Sequence, residues 1–300
     1  MLKENWLIGF IGQGFIGKSY ADDFENRGYK IVRYSVKQFP ENKEKIKDCD
    51  AVFIAVPAQT LPTGFDDSVI VEVLKLVGKG KIAVIKCTLP QGYTEKFQAM
   101  YPDIFVVHSP EFLTEKNAAW EAAHPERNII GYTEKSFPCC EDLMEILPPA
   151  EFKTIVPART AELIKYAGNC LLYFKVMMMN IIYDISQKNG IDYDQLKAAV
   201  GADSRLGHSH LDIVHFGGRG AGGHCFIKDF AALREMYVKQ FETERNNKDP
   251  HYIAGLNLLR ATEEFNKSLL LETGKDKDLL QGVYGDDYDK VKTLDYEKRL

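Results

Sequence analysis

The sequence has no apolar run of about 18 or more residues, so no segment reads as a membrane-spanning helix. It also has no CxxC pair. The six cysteines, Cys49, Cys87, Cys139, Cys140, Cys170 and Cys225, follow no regular framework. They read as reduced thiols of a cytoplasmic protein, not as a disulfide scaffold. There is no excess of positive charge. Thirty-eight Lys and Arg against 43 Asp and Glu give a formal net charge of -5, which removes the basic field a nucleic-acid partner would need. No small-residue cleavage site follows the opening MLKENWLIGFIGQGF, which reads as a first strand and not as a signal peptide. Internal repeats and low-complexity tracts are absent as well.

What remains is a soluble globular composition, 45% hydrophobic and 27% charged, over 300 residues. That length suits two domains of ordinary size or one large α/β domain. The first part alternates short β-type runs with helical stretches. The runs lie at 6–11, 30–34, 51–56, 81–85, 104–107, 128–132 and 152–156. Several, such as AVFIAV and KIAVIK, are almost continuously apolar, as strands buried on both faces are. The alternation predicts a doubly wound parallel sheet covered by helices.

After Pro157 about thirty residues run without proline, with Gly168 as the only interior glycine. Leu163, Ala167, Cys170, Leu171, Phe174 and Met178 recur at helical steps. The spacing predicts one long helix ending near Asn189-Gly190, and an all-helical domain after it. The last good helix is expected from about 252 to 271, and the charged, glycine-punctuated remainder reads as a peripheral or partly disordered tail. The expected division is therefore 1–156, 157–272 and 273–300.

Gly12-Gln13-Gly14-Phe15-Ile16-Gly17 follows the first strand and opens a helix. In this GxGxxG pattern the first glycine permits a tight turn. The second admits a pyrophosphate to the backbone, and the third lets helix and strand pack closely. The helix N-terminus adds free N–H groups for the phosphates. The motif predicts a Rossmann-type dinucleotide site. The second strand ends Arg33-Tyr34-Ser35-Val36-Lys37, with no acid to grip a ribose 2′-hydroxyl. Ser35 stands where a gap-free count would put that acid. Arg33, Ser35 and Lys37 would suit a 2′-phosphate, so NAD and NADP both stay open.

His208, His210 and His215 cluster in the sequence without nearby thiols, and read as solvated loop histidines, with no metal assigned. Met177-Met178-Met179 reads as core or dimer seam.

Five later segments, in order, resemble the UDP-glucose/GDP-mannose dehydrogenase family. Val56-Pro57 ends the third strand. Lys86-Cys87-Thr88-Leu89-Pro90-Gln91-Gly92 is similar to KSTVPxG. Ser109-Pro110-Glu111-Phe112-Leu113-Thr114-Glu115 is similar to NPEFLxEG, with Pro125-Glu126-Arg127 and Gly131 at family spacing. Glu162-Leu163-Ile164-Lys165-Tyr166-Ala167-Gly168-Asn169 is similar to the family's ElxKyxxN helix, with Asn180 in place. Gly222-Gly223-His224-Cys225-Phe226-Ile227-Lys228-Asp229 is similar to GGSCFPKD, preceded by Asp203-Ser204-Arg205-Leu206-Gly207. Ser109, Lys116, His224 and Ile227 depart from the family pattern.

The resemblance implies a nicotinamide-dependent oxidation of a nucleotide-sugar primary alcohol to a carboxylate. Cys225 would be the nucleophile, forming a thiohemiacetal and then a thioester; its thiolate suits both steps. Lys165 and Asn169, one helical turn apart, would stabilise and orient a developing alkoxide. Asp229 would hold the hydrolytic water. Thr88 would bond that water near the nicotinamide, and Glu111 would be general base. Val56, Pro57 and Thr88 would line the cofactor. Phe112, Leu113 and Gly222 would contact substrate, with Arg205 reaching across a homodimer. The loop 217–223 is glycine-rich, which would let substrate approach the backbone. Lys165 and Cys225 are expected to serve one substrate beside the nicotinamide. Members usually carry a third domain, and this chain ends soon after the helix that would lead into it. A smaller alcohol is therefore an alternative substrate. A single-step β-hydroxyacid-type oxidation by Lys165 and Asn169, or a non-catalytic dinucleotide-binding module, are the other readings.

Overall fold

The structure is a computed structural model, described over residues 5–241 and 249–291. Two units separate by contacts: the described residues up to Gln59 with Asp66–Lys165, and Thr60–Phe65 with those from Tyr166 on. The division thus falls inside a helix, at 165/166, where the sequence placed it at 156/157.

The first unit is built on a seven-stranded sheet. Strands β1 (Leu7–Ile11), β2 (Lys30–Tyr34) and β3 (Ala51–Ile54) are followed by a small hairpin, β4 (Gln59–Leu61) and β5 (Gly64–Asp66). The sheet continues with β6 (Ile82–Ile85), β7 (Phe105–His108), β8 (Arg127–Tyr132) and β9 (Phe152–Pro157). Their order is β2-β1-β3-β6-β7-β8-β9. All seven expected runs are strands of this sheet. It is parallel from β2 to β7, but β8 is antiparallel to β7 and parallel to β9. The sheet is the expected doubly wound, mostly parallel one, with β8 reversed against β7. An apolar run shows that a strand is buried and says nothing of its direction.

The flanking helices are α1 (Phe15–Asn26), α2 (Ser68–Leu74), α3 (Tyr93–Met100), α4 (Ala118–Ala123) and α5 (Cys140–Ile146). Strands β3 and β6 are buried at every position, because helices cover both faces. The core centres on Phe10, Phe24 and Phe53, whose ring centroids lie 5.2 to 5.4 Å apart. The strand order reverses at β1, between β2 and β3, and such a switch point opens a crevice at the carboxyl ends of the strands.

Helix α6 (Ala158–Lys188) spans 31 residues, as the spacing predicts. It is followed by α7 (Tyr193–Gly201), α8 (Gly223–Phe241), α9 (Pro250–Thr273) and α10 (Lys277–Tyr284). Gly190, at φ +64, turns the chain after α6. The side chain of Asp249 caps α9, and Gly274 ends it in the left-handed conformation. In the core of the second unit the rings of Tyr173 and Phe230 stack at 4.0 Å.

The described part of the expected tail is not a loose end. Leu280 of α10 is fully buried in a cluster with Ile227 and Leu270. Residues 292–300 of that tail lie outside the described residues. Among the described residues no helix is long and apolar enough to cross a membrane.

Candidate active site

The glycine loop after β1 divides the three roles the sequence assigned. A Cβ on Gly12 would lie 2.2 Å from the carbonyl oxygen of Ala55, and the residue's φ is +90, so only glycine fits that turn. A Cβ on Gly17 would lie 1.9 Å from the carbonyl oxygen of Gly12, which is the close helix–strand packing. Gly14 faces open space, with nothing within 4 Å of the Cβ position. It is the N-cap of the 12-residue α1, and no side chain caps that terminus. An open backbone at an uncapped helix N-terminus fits a pyrophosphate. Gln13 turns inward instead, its amide donating to the carbonyl oxygens of Phe10 (3.3 Å) and Gly12 (3.1 Å). Phe15 is exposed, and Ile16 packs against the core.

Arg33, near the end of β2, is committed to the chain's own carboxylates. Arg33 donates to Asp22 (2.6 Å) and Glu25 (2.7 Å) and is only 13% exposed. It is not available to a 2′-phosphate, which removes one support for NADP. The hydroxyl of Ser35 closes its own turn, accepting from the Gln38 N–H at 2.8 Å. Val56 is half-buried, its carbonyl oxygen receiving the Cys87 thiol at 3.1 Å, while Pro57 is exposed and Thr88 half-buried.

At the carboxyl ends of β6 and β7 lies a buried charged cluster. The Lys165 ammonium donates to the carbonyl oxygen of Glu111 at 2.7 Å and to its Oε1 at 3.0 Å. Glu111 Oε2 accepts from the Leu113 N–H at 2.7 Å. Both residues are buried. Glu111 is thus the partner of Lys165, and both its oxygens are engaged. The general base expected from the sequence is held here in an ion pair with Lys165. Glu162 fixes the start of α6, accepting from the N–H groups of Gly92 (2.6 Å) and Thr94 (2.8 Å) and from the Thr94 hydroxyl (2.6 Å). Phe112 and Leu113 line a cavity of about 260 Å³ with Tyr20, Trp120, His124 and Arg127. The Arg127 guanidinium sits 3.7 Å from the Phe112 ring centroid.

In the second unit, Cys225 lies in the first turn of α8 and is exposed, whereas Cys170 is buried with its thiol pKa pushed up by desolvation. Asp229 is one turn beyond Cys225 and 1% exposed. Its Oδ2 accepts from the Asn169 amide at 2.6 Å and its Oδ1 from Lys228 at 2.5 Å. Arg205 is exposed and pairs with Asp203 at 2.6 Å.

The glycine-rich loop before Cys225 differs from expectation. A Cβ on Gly222 would lie 2.0 Å from Asp276 Oδ2, one on Gly220 2.8 Å from Asn266 Oδ1, and one on Gly218 2.6 Å from the Thr273 hydroxyl. The Gly218 and Gly222 faces hold the chain's own strap, residues 273–276, and the Gly220 face holds Asn266, Leu269 and Leu270, so the loop packs closely on the chain itself. Asp276 Oδ2 also accepts from the Gly223 N–H at 2.7 Å, and buried Lys275 donates to the Gly220 carbonyl at 3.1 Å.

The three histidines are scattered in role. His208 packs on Gly201, His210 is half-buried near Phe226, and His215 meets the Phe216 ring edge-to-face. Among the described residues no three His, Cys, Asp or Glu side chains group as a metal would need. Met177 and Met179 are buried in core clusters, and Met178 is exposed.

Two family models match the chain. The NAD binding domain of the UDP-glucose/GDP-mannose dehydrogenase family matches residues 34–147, and the central domain of the same family matches residues 159–267. The chain belongs to the UDP-glucose/GDP-mannose dehydrogenase family. The glycine loop at 12–17 precedes the matched segment, so the loop and the family models are separate indications. The UDP-glucose 6-dehydrogenase TuaD of Bacillus subtilis is 33% identical over 204 residues, 64% of this chain and 43% of that protein. The chain spans about half the length of the curated relatives it matches. A UDP-glucose dehydrogenase structure from Pyrobaculum islandicum superposes with a TM-score of 0.72 at 23% identity, covering 93% of this chain and 71% of that one. A 3-hydroxyisobutyrate dehydrogenase from Mycobacterium tuberculosis gives 0.66 at 12% identity, covering 96% of this chain and all of that one (100%). Both likenesses are of fold.

Lys86 and His108 are the residues that sequence reasoning passed over. Both are buried at strand ends. A lysine closing an otherwise apolar strand was the available signal.

Proposed function

We propose that this chain is an NAD-dependent dehydrogenase that oxidises the primary alcohol of a nucleotide sugar, UDP-glucose being the first candidate, to the carboxylate. The observation that carries the reading is the buried carboxylate of Asp229, held by Asn169 and Lys228 one turn beyond the exposed thiol of Cys225. A carboxylate so held is fixed in orientation, as a group that positions a water must be.

The open Gly14 terminus of α1 would hold the pyrophosphate of NAD, which would supply the hydride acceptor for each oxidation. Lys165 stabilises, through its ammonium, the alkoxide left as the hydroxyl proton passes to solvent. Cys225 adds its sulfur to the aldehyde carbon, giving a thiohemiacetal whose oxidation leaves a thioester. Asp229 holds the water that attacks the thioester carbon, Glu111 takes its proton, and the thiolate leaves. Asn169 keeps Asp229 in place.

The test is a panel of NAD, NADP and nucleotide sugars read at the reduced nicotinamide band. Two reduced cofactors per acid support this reading. One per ketone or aldehyde supports the single-step β-hydroxyacid alternative, whose fold the chain covers end to end. Absence of cofactor binding by calorimetry would leave a non-catalytic module.

The same reading makes the chain a homodimer through α6. Leu171, Met178 and Ile185, seven residues apart, are 69%, 56% and 55% exposed on that helix. Its free cysteines suit a reducing compartment, and the reading places it in the cytoplasm.

A further inference from the structure

Lys86 follows directly on the fully buried strand β6 and is itself only 4% exposed. Its Nζ donates to the Ser109 hydroxyl at 3.2 Å and lies 4.4 Å from the centroid of the Tyr20 ring. Among the described residues no carboxylate lies within ion-pair distance of it. An ammonium carries three N–H donors, and here a single hydroxyl and a ring face receive it. Desolvation accordingly brings its pKa down to about 7, the Lys165 ammonium adding to the effect and the Glu111 carboxylate opposing it.

The other groups around this amine are accounted for. Tyr20, from α1, stays neutral because burial raises its pKa. His108, at the end of β7, stays neutral because burial lowers its pKa to about 3. Ser109 carries no charge. The charge-bearing members are Lys86, Glu111 and Lys165: two amines and one carboxylate in a dry site. With Lys86 neutral, Glu111 and Lys165 balance each other. With Lys86 protonated a second positive charge acts on Lys165 and on the Glu111 carboxylate that holds it.

We propose that Lys86 is a positioning residue for the reaction assigned above: its charge state sets how tightly Glu111 holds Lys165, and so how freely the Lys165 amine serves the substrate hydroxyl. The inference rests on the dehydrogenase reading for its second half. The coupling itself is a property of the free chain.

The test therefore begins without substrate or cofactor. Lysine amines of the isotope-labelled chain are titrated by NMR, and the Lys86 signal is identified by its loss in Lys86→Met. Lys165→Met should raise its midpoint and Glu111→Gln should lower it, each by about half a unit or more, since a nearby charge acts on that scale. A midpoint that neither substitution moves would mean that burial alone governs Lys86, and would overturn the proposal. Should Lys86→Met fail to fold, Ser109→Ala identifies the same signal, because it removes the amine's hydrogen bond and leaves every charge in place.

Kinetics form the second arm. Lys86→Met should lower kcat about tenfold, keep KM within about twofold, and erase an inflection near neutrality from the pH profile of kcat, as loss of a transition-state contribution does. An unaltered profile and kcat would overturn the positioning role. A wild-type chain with coupled amines but no turnover on any nucleotide sugar would overturn the dehydrogenase reading and, with it, the link from Lys86 to catalysis.

Discussion

Asn169 donates to Asp229 across the second unit at 2.6 Å, from α6 to α8, and in doing so fixes a carboxylate that water scarcely reaches. Removing the donor leaves that carboxylate short of a partner. Asn169→Ala should cost about 1–3 kcal/mol in urea unfolding, and should slow acid formation more than it slows the first oxidation.

Cys225 is exposed, so its replacement should leave the fold alone. Cys225→Ser is expected to keep the wild-type melting temperature and to abolish carboxylate formation, with less than two reduced cofactors per substrate. Unchanged acid yield would remove the thioester from the scheme.

The three loop glycines should separate stability from binding. Gly12→Ala and Gly17→Ala place a methyl 2.2 Å and 1.9 Å from backbone oxygens, and both should lower the melting temperature. Gly14→Val points into open space, so the melting temperature should hold while NAD affinity by calorimetry falls about tenfold or more.

Stability should drop on the acid side because of His108. Its folded pKa of about 3 lies below the unfolded value of 6.5, so between these limits the unfolded chain binds the extra proton. Stability from this residue is present above about pH 6.5 and declines as pH falls toward 3, by up to about 1.4 kcal/mol per pH unit. Denaturant unfolding across pH should show a shallower acid limb in His108→Gln. An unchanged slope would mean that other groups govern it.

The apolar row on α6 is open to a charge test. Leu171→Glu with Met178→Glu should shift a dimer to monomer in size-exclusion chromatography with light scattering, without loss of helicity.

Much of the fold was legible because burial writes itself into composition. Runs such as AVFI and IAVI can only be covered strands, and α6 has the length and spacing that one long helix needs. Strand direction at β8 was not legible, since apolar residues carry no sense of orientation. Nor was the β4–β5 hairpin, whose strands of three residues each are too short for a period. Helix α10 is too short for its apolar residues, Leu279, Leu280, Val283 and Tyr284, to show a period; fully buried Leu280 anchors it. The motifs single out Lys165, Asn169, Cys225 and Asp229 as candidates, but not what each touches. The pairing of Glu111 with Lys165 joins residues 54 positions apart, and a distant partner leaves no local trace.

The contacts of Gly218, Gly220 and Gly222 with Asn266 and the residues 273–276 mean that two separate stretches of sequence are one interlocking part. A side chain gained in the loop would demand a shortened residue in the strap. Anyone transplanting the loop with its cysteine into a different scaffold would have to move the strap along with it, or leave three notches with nothing to fill them.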